Sequence, residues 1–154
     1  VFPLLIFLFL GVYDLGNGIL VNQKVIRASQ VTADLVTRGR TISVADINEA
    51  VLAGQLAIQP FNIASFGVDI VSIRFDSNAQ PQIEWQETRN MTATDITQIT
   101  NRVAPVAIAD DGLVMVSVNY VYDPLFTGFA INQIRMEEIA FARGRRSAVV
   151  QLGP

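Results

Sequence analysis

The chain has no cysteine and no histidine among its 154 residues. This excludes a disulfide framework, a thiol nucleophile, a Ser-His-Asp triad, histidine-ligated haem and the ordinary zinc sites. Charged residues are also scarce, at 16%. A missing disulfide does not exclude an extracytoplasmic location, since a fold can do without one. We therefore expect a protein that is not an enzyme and that needs no cofactor and no metal.

Positive charge is scarce in the middle of the chain. Residues 51–134 carry three basic and eight acidic side chains, whereas residues 135–154 carry four arginines and two glutamates. Phosphate binding depends on clustered cations, so the acidic middle argues against a nucleic-acid partner. The segment Arg143-Gly-Arg-Arg146 is interpreted as a solvated tail.

The most informative segment is the apolar run at the start, VFPLLIFLFLGVYDLGNGILV, over residues 1–21. It has no lysine, arginine or glutamate and one acid, Asp14. A helix of this length is about 30 Å long, which matches the hydrocarbon thickness of a bilayer. Either it spans a membrane or it is buried among similar helices. A signal peptide fits poorly, because the helical pattern continues and no small-x-small cleavage site is followed by the start of a new segment. The chain begins without Met inside the run, so either a leader has been removed or upstream residues are missing.

The helical pattern continues in more polar form, which predicts one helix from Val1 to Arg38 with Gly39 as its C-cap. Pro3 is tolerated at a helix start. Beyond the apolar run, a one-sided stripe predicts packing on a body. Its members are Val21, Val25, Ala28, Thr32 and Leu35. Three glycines would allow close approach of neighbouring helices in lipid or a bundle: Gly11, Gly16 and Gly18.

Two short helices are predicted after this. Ser43 and Asp46 resemble a capping box that opens a helix over Val44 to Leu56. Its predicted inward side chains are Val44, Ile47, Val51 and Leu52. A second helix is predicted over Asp95 to Val103, capped by Thr92 or Thr94.

Strand patterns account for the remainder. Alternation predicts a hairpin of Val71 to Phe75 and Ile83 to Trp85, joined by a turn over residues 77–81. The strongest strand is predicted over Leu113 to Tyr122, and a last one over Gln133 to Arg143. The apolar phase of the last strand slips at Glu137-Glu138, which predicts a β-bulge there.

The sum is an α+β, pilin-like fold. A long N-terminal helix packs on an antiparallel sheet of about four strands, with one or two short helices. The predicted division is residues 1–38 as a membrane or filament-core helix and residues 39–154 as a globular α+β pilin body.

These residues resemble the TadE-like minor pilins of the tight-adherence (Tad) pilus, a branch of the type IV pilins. The N-terminal likeness lies in Pro3-Leu4-Leu5, Gly11-Val12-Tyr13-Asp14-Leu15-Gly16, Gln23-Lys24 and Ala28 to Ala33. Two later likenesses are Val118-Asn-Tyr-Val-Tyr-Asp-Pro124 and Phe141-Ala-Arg143. The chain departs from the family pattern at Asp14, where Glu is usual, and at Leu15, where an aromatic residue is usual.

The resemblance implies a structural subunit, either a minor pilin or the filament subunit, of a bacterial type IV or Tad-type pilus used for surface adhesion or colonisation. Implied partners are other pilin subunits, the same or different, the inner membrane before assembly, and a prepilin peptidase. The implied location is the inner membrane with a periplasmic body, then the extracellular pilus. The alternative is a single-pass, membrane-anchored periplasmic binding module or adhesin that does not polymerise.

The candidate assembly and membrane residues all lie in the first helix. They are Pro3, Leu4, Leu5, Phe7, Phe9, Gly11, Asp14, Gly16, Gly18 and Lys24. Asp14 stands out because a carboxylate in hydrocarbon is costly and usually has a partner. We expect it to pair with a cation or terminal amine of a neighbouring subunit; the alternative is a solvated position at the headgroup level. Lys24 is interpreted as a membrane-edge cation.

Other candidate sites favour plain structural interpretations. Asp110-Asp111-Gly112 and Glu137-Glu138 contain paired acids, and we interpret both as a turn or a solvated face rather than a glycosidase or metal site. Asn90-Met91-Thr92 fits a glycosylation sequon. Four aromatic residues are predicted to lie in the core, with a ligand platform as the alternative: Phe75, Trp85, Tyr120 and Tyr122.

Overall fold

The computed structural model describes residues 2–126 and 132–153. The predicted α+β fold is confirmed. Three helices are α1 (Phe2–Val36), α2 (Val44–Ile58) and α3 (Ile96–Val103), the last followed by a 3-10 turn (Ala104–Val106). The strands are β1 (Thr41–Ile42), β2 (Gly67–Phe75), β3 (Pro81–Arg89), β4 (Gly112–Tyr122), β5 (Ile134–Ala142) and β6 (Gln151–Leu152).

Four strands form an antiparallel sheet in the order β3-β2-β4-β5, and the short β1 and β6 form a separate parallel pair. The predicted hairpin is β2–β3. Its turn is held by Asp76, whose Oδ1 accepts hydrogen bonds from the backbone N–H groups of Asn78 and Gln80. The long central strand β4 pairs with β2 on one side and β5 on the other. We call the end of the sheet where β4 ends and β5 begins the base of the body.

The second half of α1 is part of the body. The predicted stripe is confirmed: Val21, Val25, Ala28 and Thr32 are fully buried, and Leu35 packs at the edge of the core. α2 lies antiparallel against it, because Thr32 bonds to the Ala50 carbonyl while the earlier Lys24 bonds to the later Gln59. These two helices cover one face of the sheet.

The sheet has an apolar core on each face. Toward α1 and α2, β4 contributes Val114, Val116 and Val118. Toward α3, it contributes Leu113 and Met115, which pack with Ile99 and Val103. The four predicted core aromatics are buried, Trp85, Tyr120 and Tyr122 in the first core and Phe75 in the second. Burial on both faces explains the nearly continuous apolar sequence of β4.

The predicted bulge at Glu137-Glu138 is wrong. β5 pairs with β4 in continuous register from Ile134 to Ala142. Its apolar phase changes because the strand serves both cores: Met136 packs on the α1 side, and Ile139 packs on the α3 side. The irregularity in the sheet lies instead between Ser72 and Ile73 of β2, opposite β3.

Some local predictions also need correction. α1 ends at Val36, short of Arg38, so Gly39 is not adjacent to its end. In α2, Val44 and Leu52 are exposed, because the small Ala50 and Gly54 form the side that approaches α1. The capping box of α2 is present as predicted. α3 is capped by Asp95, which accepts from the Gln98 N–H, rather than by either threonine.

The C-terminal segment is tied to the body. The carbonyl of Val150 accepts hydrogen bonds from Trp85 Nε1 and Ser72 Oγ, both at 2.8 Å. The interpretation of residues 143–146 as a solvated tail is corrected for two arginines, because Arg143 pairs with Asp111 and Arg145 pairs with Asp34. These pairs connect the C-terminal segment to the turn before β4 and to α1.

Candidate membrane and assembly surface

The first part of α1 projects from the body with its apolar side chains exposed. The helix's buried residues begin at Asp14, whereas large apolar side chains before Val21 are 45–75% exposed. These are Phe2, Leu4, Leu5, Ile6, Phe7, Leu8, Phe9, Val12, Tyr13, Leu15, Ile19 and Leu20. The part from Phe2 to Tyr13 is about 18 Å long at ~1.5 Å per residue.

α1 is long and apolar enough to cross a membrane by length and composition. Its most apolar 18-residue window has a mean hydropathy of 2.0, and 17% of that window is buried. Such a helix inside a soluble core would be mostly buried, so low burial distinguishes this one. The coarse prediction of an N-terminal membrane-compatible helix therefore agrees with the structure.

Five of the predicted assembly residues lie near the start of α1. Pro3, Leu4, Leu5, Phe7 and Phe9 are exposed on the projecting part.

The glycines differ from one another. Among residues 2–126 and 132–153, no heavy atom would lie within 4 Å of a Cβ added at Gly11 or Gly16. One added at Gly18 would lie 3.7 Å from Ile134 Cδ1 and 3.9 Å from Tyr122 Cε1. Gly18 thus contacts its own sheet, while the surfaces at Gly11 and Gly16 are open to a neighbouring molecule.

Asp14 is buried, with 4% of its surface exposed, at the base of the body. Oδ1 accepts the backbone N–H of Leu125 and Oδ2 accepts that of Phe126, each at 3.2 Å. The solvated alternative does not describe this carboxylate. Hydrogen bonds from backbone N–H groups stabilise a buried carboxylate. Two of the hydrogen-bond donors that Asp14 needs are therefore supplied by its own chain.

Aromatic rings surround this contact. Tyr13 meets Phe126 edge to face with ring centroids 6.3 Å apart, and Phe61 meets Tyr122 in the same way at 6.1 Å. Burial raises the pKa of Tyr122, and the nearby charge of Asp14 raises that pKa further. The base of the body therefore carries two pairs of aromatic rings, one of which includes Tyr13 of α1.

Tyr120 completes the base on the side of α2. Its hydroxyl donates to the Asn62 carbonyl at 2.7 Å. Burial raises its pKa, and the charges of Asp123 and Tyr122 add to the effect. The neutral phenol is the form that the folded protein favours.

Lys24 has a contact that the sequence did not predict. Its Nζ donates at 2.7 Å to the carbonyl of Gln59, the C-cap residue of α2. A cation at a helix C-terminus is stabilised by the helix dipole and by the unpaired carbonyls there. Lys24 therefore fastens the end of α2 to α1 near the base.

The paired acids do not converge. Glu137 and Glu138 are successive residues of β5 and point to opposite faces; Glu137 pairs with Arg102 at 2.6 Å. Asp111 pairs with Arg143, and Asp110 has a left-handed backbone with φ 58°. Within residues 2–126 and 132–153, no group of three or more acidic side chains is placed to hold a metal ion.

Asn90 of the sequon is engaged in the fold. Its Nδ2 donates to the carbonyls of Ala64 and Phe66 at 3.0 and 2.9 Å. A sugar attached to this nitrogen would break this arrangement, because both bonds use the amide that carries the sugar.

Sequence reasoning missed Asp69, a fully buried carboxylate on β2. It accepts hydrogen bonds from Gln86 Nε2, Thr88 Oγ1 and the Thr94 N–H. The signal was available, since Asp69 alternates with Val71 and Ile73 on one face of a strand. Its partners join β2 and β3 to the segment before α3, which is a structural role.

No protein-family model, curated protein or solved structure matches the chain. The features that bear on function are therefore α1 and the base of the body.

Proposed function

We propose that this chain is a structural pilin subunit, TadE-like, of a bacterial Tad-type pilus. It acts without catalysis, as a minor pilin or as the filament subunit, and it serves adhesion to surfaces. α1 anchors it in the inner membrane with the body in the periplasm, and the same helix later packs against other pilin subunits. A prepilin peptidase would process its precursor.

The observation that carries this proposal is the division of one continuous helix. α1 has 35 residues without interruption; its second half lies in the core, and its first part exposes large apolar side chains. Burying one such side chain is worth about 1.5–3 kcal/mol, so a row of them requires a covering. Lipid and a bundle of similar helices both provide one.

A pilin uses both environments in succession: lipid before assembly and a helix bundle in the filament. Lipid chains are about as apolar as leucine, so leaving lipid for a helix bundle costs little hydrophobic free energy. The open surfaces at Gly11 and Gly16 allow close helix contact in such a bundle. Because α1 continues without a break into the body, the body would then lie on the outside of the filament.

The test compares two matched variants of the full chain in the cells that carry it. Phe9→Ser removes an apolar group that is 70% exposed on α1, and Ile108→Ser removes one that is 54% exposed on the body. Filaments are sheared from the cells and examined by immunoblot and electron microscopy. We expect wild type and Ile108→Ser in the filaments, and Phe9→Ser in the membrane fraction only or degraded.

The competing class is an anchored module that never polymerises. Wild-type chain that stays wholly in the membrane fraction, in cells that do shed filaments, would support that class and contradict the proposal. Equal incorporation of Phe9→Ser would show that α1 is not the assembly element.

A further inference from the structure

The loop Pro124–Phe126 follows β4 at the base of the body, beside the point where α1 emerges. Leu125 is 69% exposed, while Pro124 is buried and Phe126 is half-buried against Tyr13. The loop therefore presents one large apolar side chain on a fixed support. The loop lies against Asp14 and Tyr13, where the projecting part of α1 meets the body.

The backbone of this loop has no free N–H group. Pro124 has none to offer. The N–H groups of Leu125 and Phe126 both donate to the Asp14 carboxylate. An unpaired N–H costs several kcal/mol in an apolar layer, so pairing both donors with Asp14 removes that part of the cost of lowering this loop into one. Asp14 therefore pairs both N–H groups of the loop within the same chain.

The surrounding side chains fit the boundary between headgroups and acyl chains. Tyrosine is enriched at that boundary because its ring is apolar and its hydroxyl is polar, and Tyr13 is 47% exposed beside the loop. Asp123 is exposed one residue before Pro124. Its charge limits the depth, so Leu125 can enter the outer acyl region while Asp123 stays in water.

We infer that the membrane-facing loop, defined as Pro124–Phe126 together with Tyr13, is a lipid contact that seats the body on the bilayer entered by α1. Its occupant is the interfacial layer of that bilayer. The inference rests on the membrane anchoring in the proposed function and not on polymerisation. It assigns Asp14 as a positioning residue that holds the loop in its lipid-facing conformation.

The absence of cysteine allows a direct test with single labels. Full chain is placed at one copy per nanodisc of phosphatidylcholine and phosphatidylglycerol. Leu125→Cys, Ile108→Cys and Phe9→Cys each carry an environment-sensitive fluorophore. Ile108 is the matched control, since it is similarly exposed but lies near the start of β4, at the opposite end of the sheet. Phe9 reports insertion of α1.

We expect lipids with a nitroxide at a shallow acyl position to quench the labels at residues 125 and 9 and to leave the label at residue 108 bright. Quenching at residue 9 with a bright, water-exposed label at residue 125 overturns the inference while anchoring stands. Bright labels at both positions overturn both. Shielding of residue 125 only when several copies share a disc overturns it in favour of a protein neighbour.

The positioning role of Asp14 has its own comparison. Asp14→Ala removes the acceptor of both loop N–H groups, and Asp123→Ala removes one negative charge beside the loop. In the Leu125→Cys background, we expect Asp14→Ala to lose the quenching and Asp123→Ala to keep it, with residue 9 quenched in both. Emission of Trp85, the single tryptophan, verifies that the body is folded. Retained quenching in Asp14→Ala overturns the role.

Discussion

At the scale of single residues, the buried Tyr120 makes the stability of the fold decrease with rising pH in the alkaline range. Burial raises its pKa above the ordinary value of 10.0, and Asp123 and Tyr122 add to this. The unfolded chain therefore releases this proton first as the pH rises. The stabilisation is fully present below about pH 10 and is lost as the pH rises through the pKa of the folded state.

We predict that Tyr120→Phe weakens this dependence. The variant also loses the hydrogen bond to the Asn62 carbonyl, so it should be less stable at neutral pH by about 1 kcal/mol. Urea unfolding in detergent, followed by circular dichroism between neutral and about pH 11, measures both effects. An unchanged slope of stability against pH would show that Tyr120 is not responsible.

Asn90 provides a second prediction at this scale. It has a left-handed backbone with φ 54°, and its side chain bonds to two carbonyls. Asn90→Ala should lower the free energy of unfolding by about 2 kcal/mol, through strain and lost bonds. Asn90→Gly accepts the backbone but loses the bonds, so it should fall between wild type and Asn90→Ala in urea unfolding. Equal stability of the two variants would exclude a backbone contribution.

Asp14 illustrates how far residue-level prediction extends. The sequence singled it out as the one charge in an apolar run, and it also indicated that a partner was needed. The partners are backbone N–H groups 111 and 112 residues away. Such donors occur at every residue except proline, so no sequence pattern distinguishes these two. Pairing with a neighbouring subunit stays a prediction.

At the scale of elements, the contact between α1 and α2 depends on Gly54. A Cβ there would lie 2.6 Å from Thr32 Oγ1 and 3.2 Å from Phe66 Cζ, all three residues being buried. We predict that Gly54→Ala lowers stability by about 1–3 kcal/mol through overpacking, despite the better helix propensity of alanine. Urea unfolding followed by Trp85 emission measures the change.

Gly16→Ala is the matched control, because a Cβ there meets no heavy atom of the described part of the chain within 4 Å. It should not lower the stability of the body. A loss of stability at Gly16 equal to that at Gly54 would mean that the effect reflects helical glycine in general and not the contact between the two helices.

The elements themselves were largely predictable, because each has a clear period and most have end signals. Helix α2 with its capping box, the hairpin, and strand β4 all follow from local pattern. The predicted bulge in β5 was wrong because the prediction assumed that only one face of this strand is buried. Met136 and Ile139 pack on opposite faces, and only knowledge that α3 covers the second face distinguishes such a strand from a bulged one.

At the scale of the whole molecule, the second half of α1 is packed into the body. It contacts α2, β4 and β5, and Asp14 and Gly18 extend its fixed part down to the base. The projecting part and the packed part belong to one uninterrupted helix. This arrangement suits a subunit whose position in an assembly is set by its helix.

Gly16→Leu would test whether this surface of α1 is used in assembly. The position is exposed and has open space on all described sides, so leucine should leave folding of the body unchanged, as Trp85 emission and urea unfolding would show. In a bundle of closely packed helices the added side chain would hold the backbones apart. We expect the variant to insert in the membrane and to be absent from sheared filaments, whereas Gly16→Ala, with one added methyl group, is incorporated at a reduced level. Normal filaments containing Gly16→Leu would show that this surface of α1 faces lipid or solvent throughout, and assembly would then have to use the exposed apolar side chains on other faces of the helix.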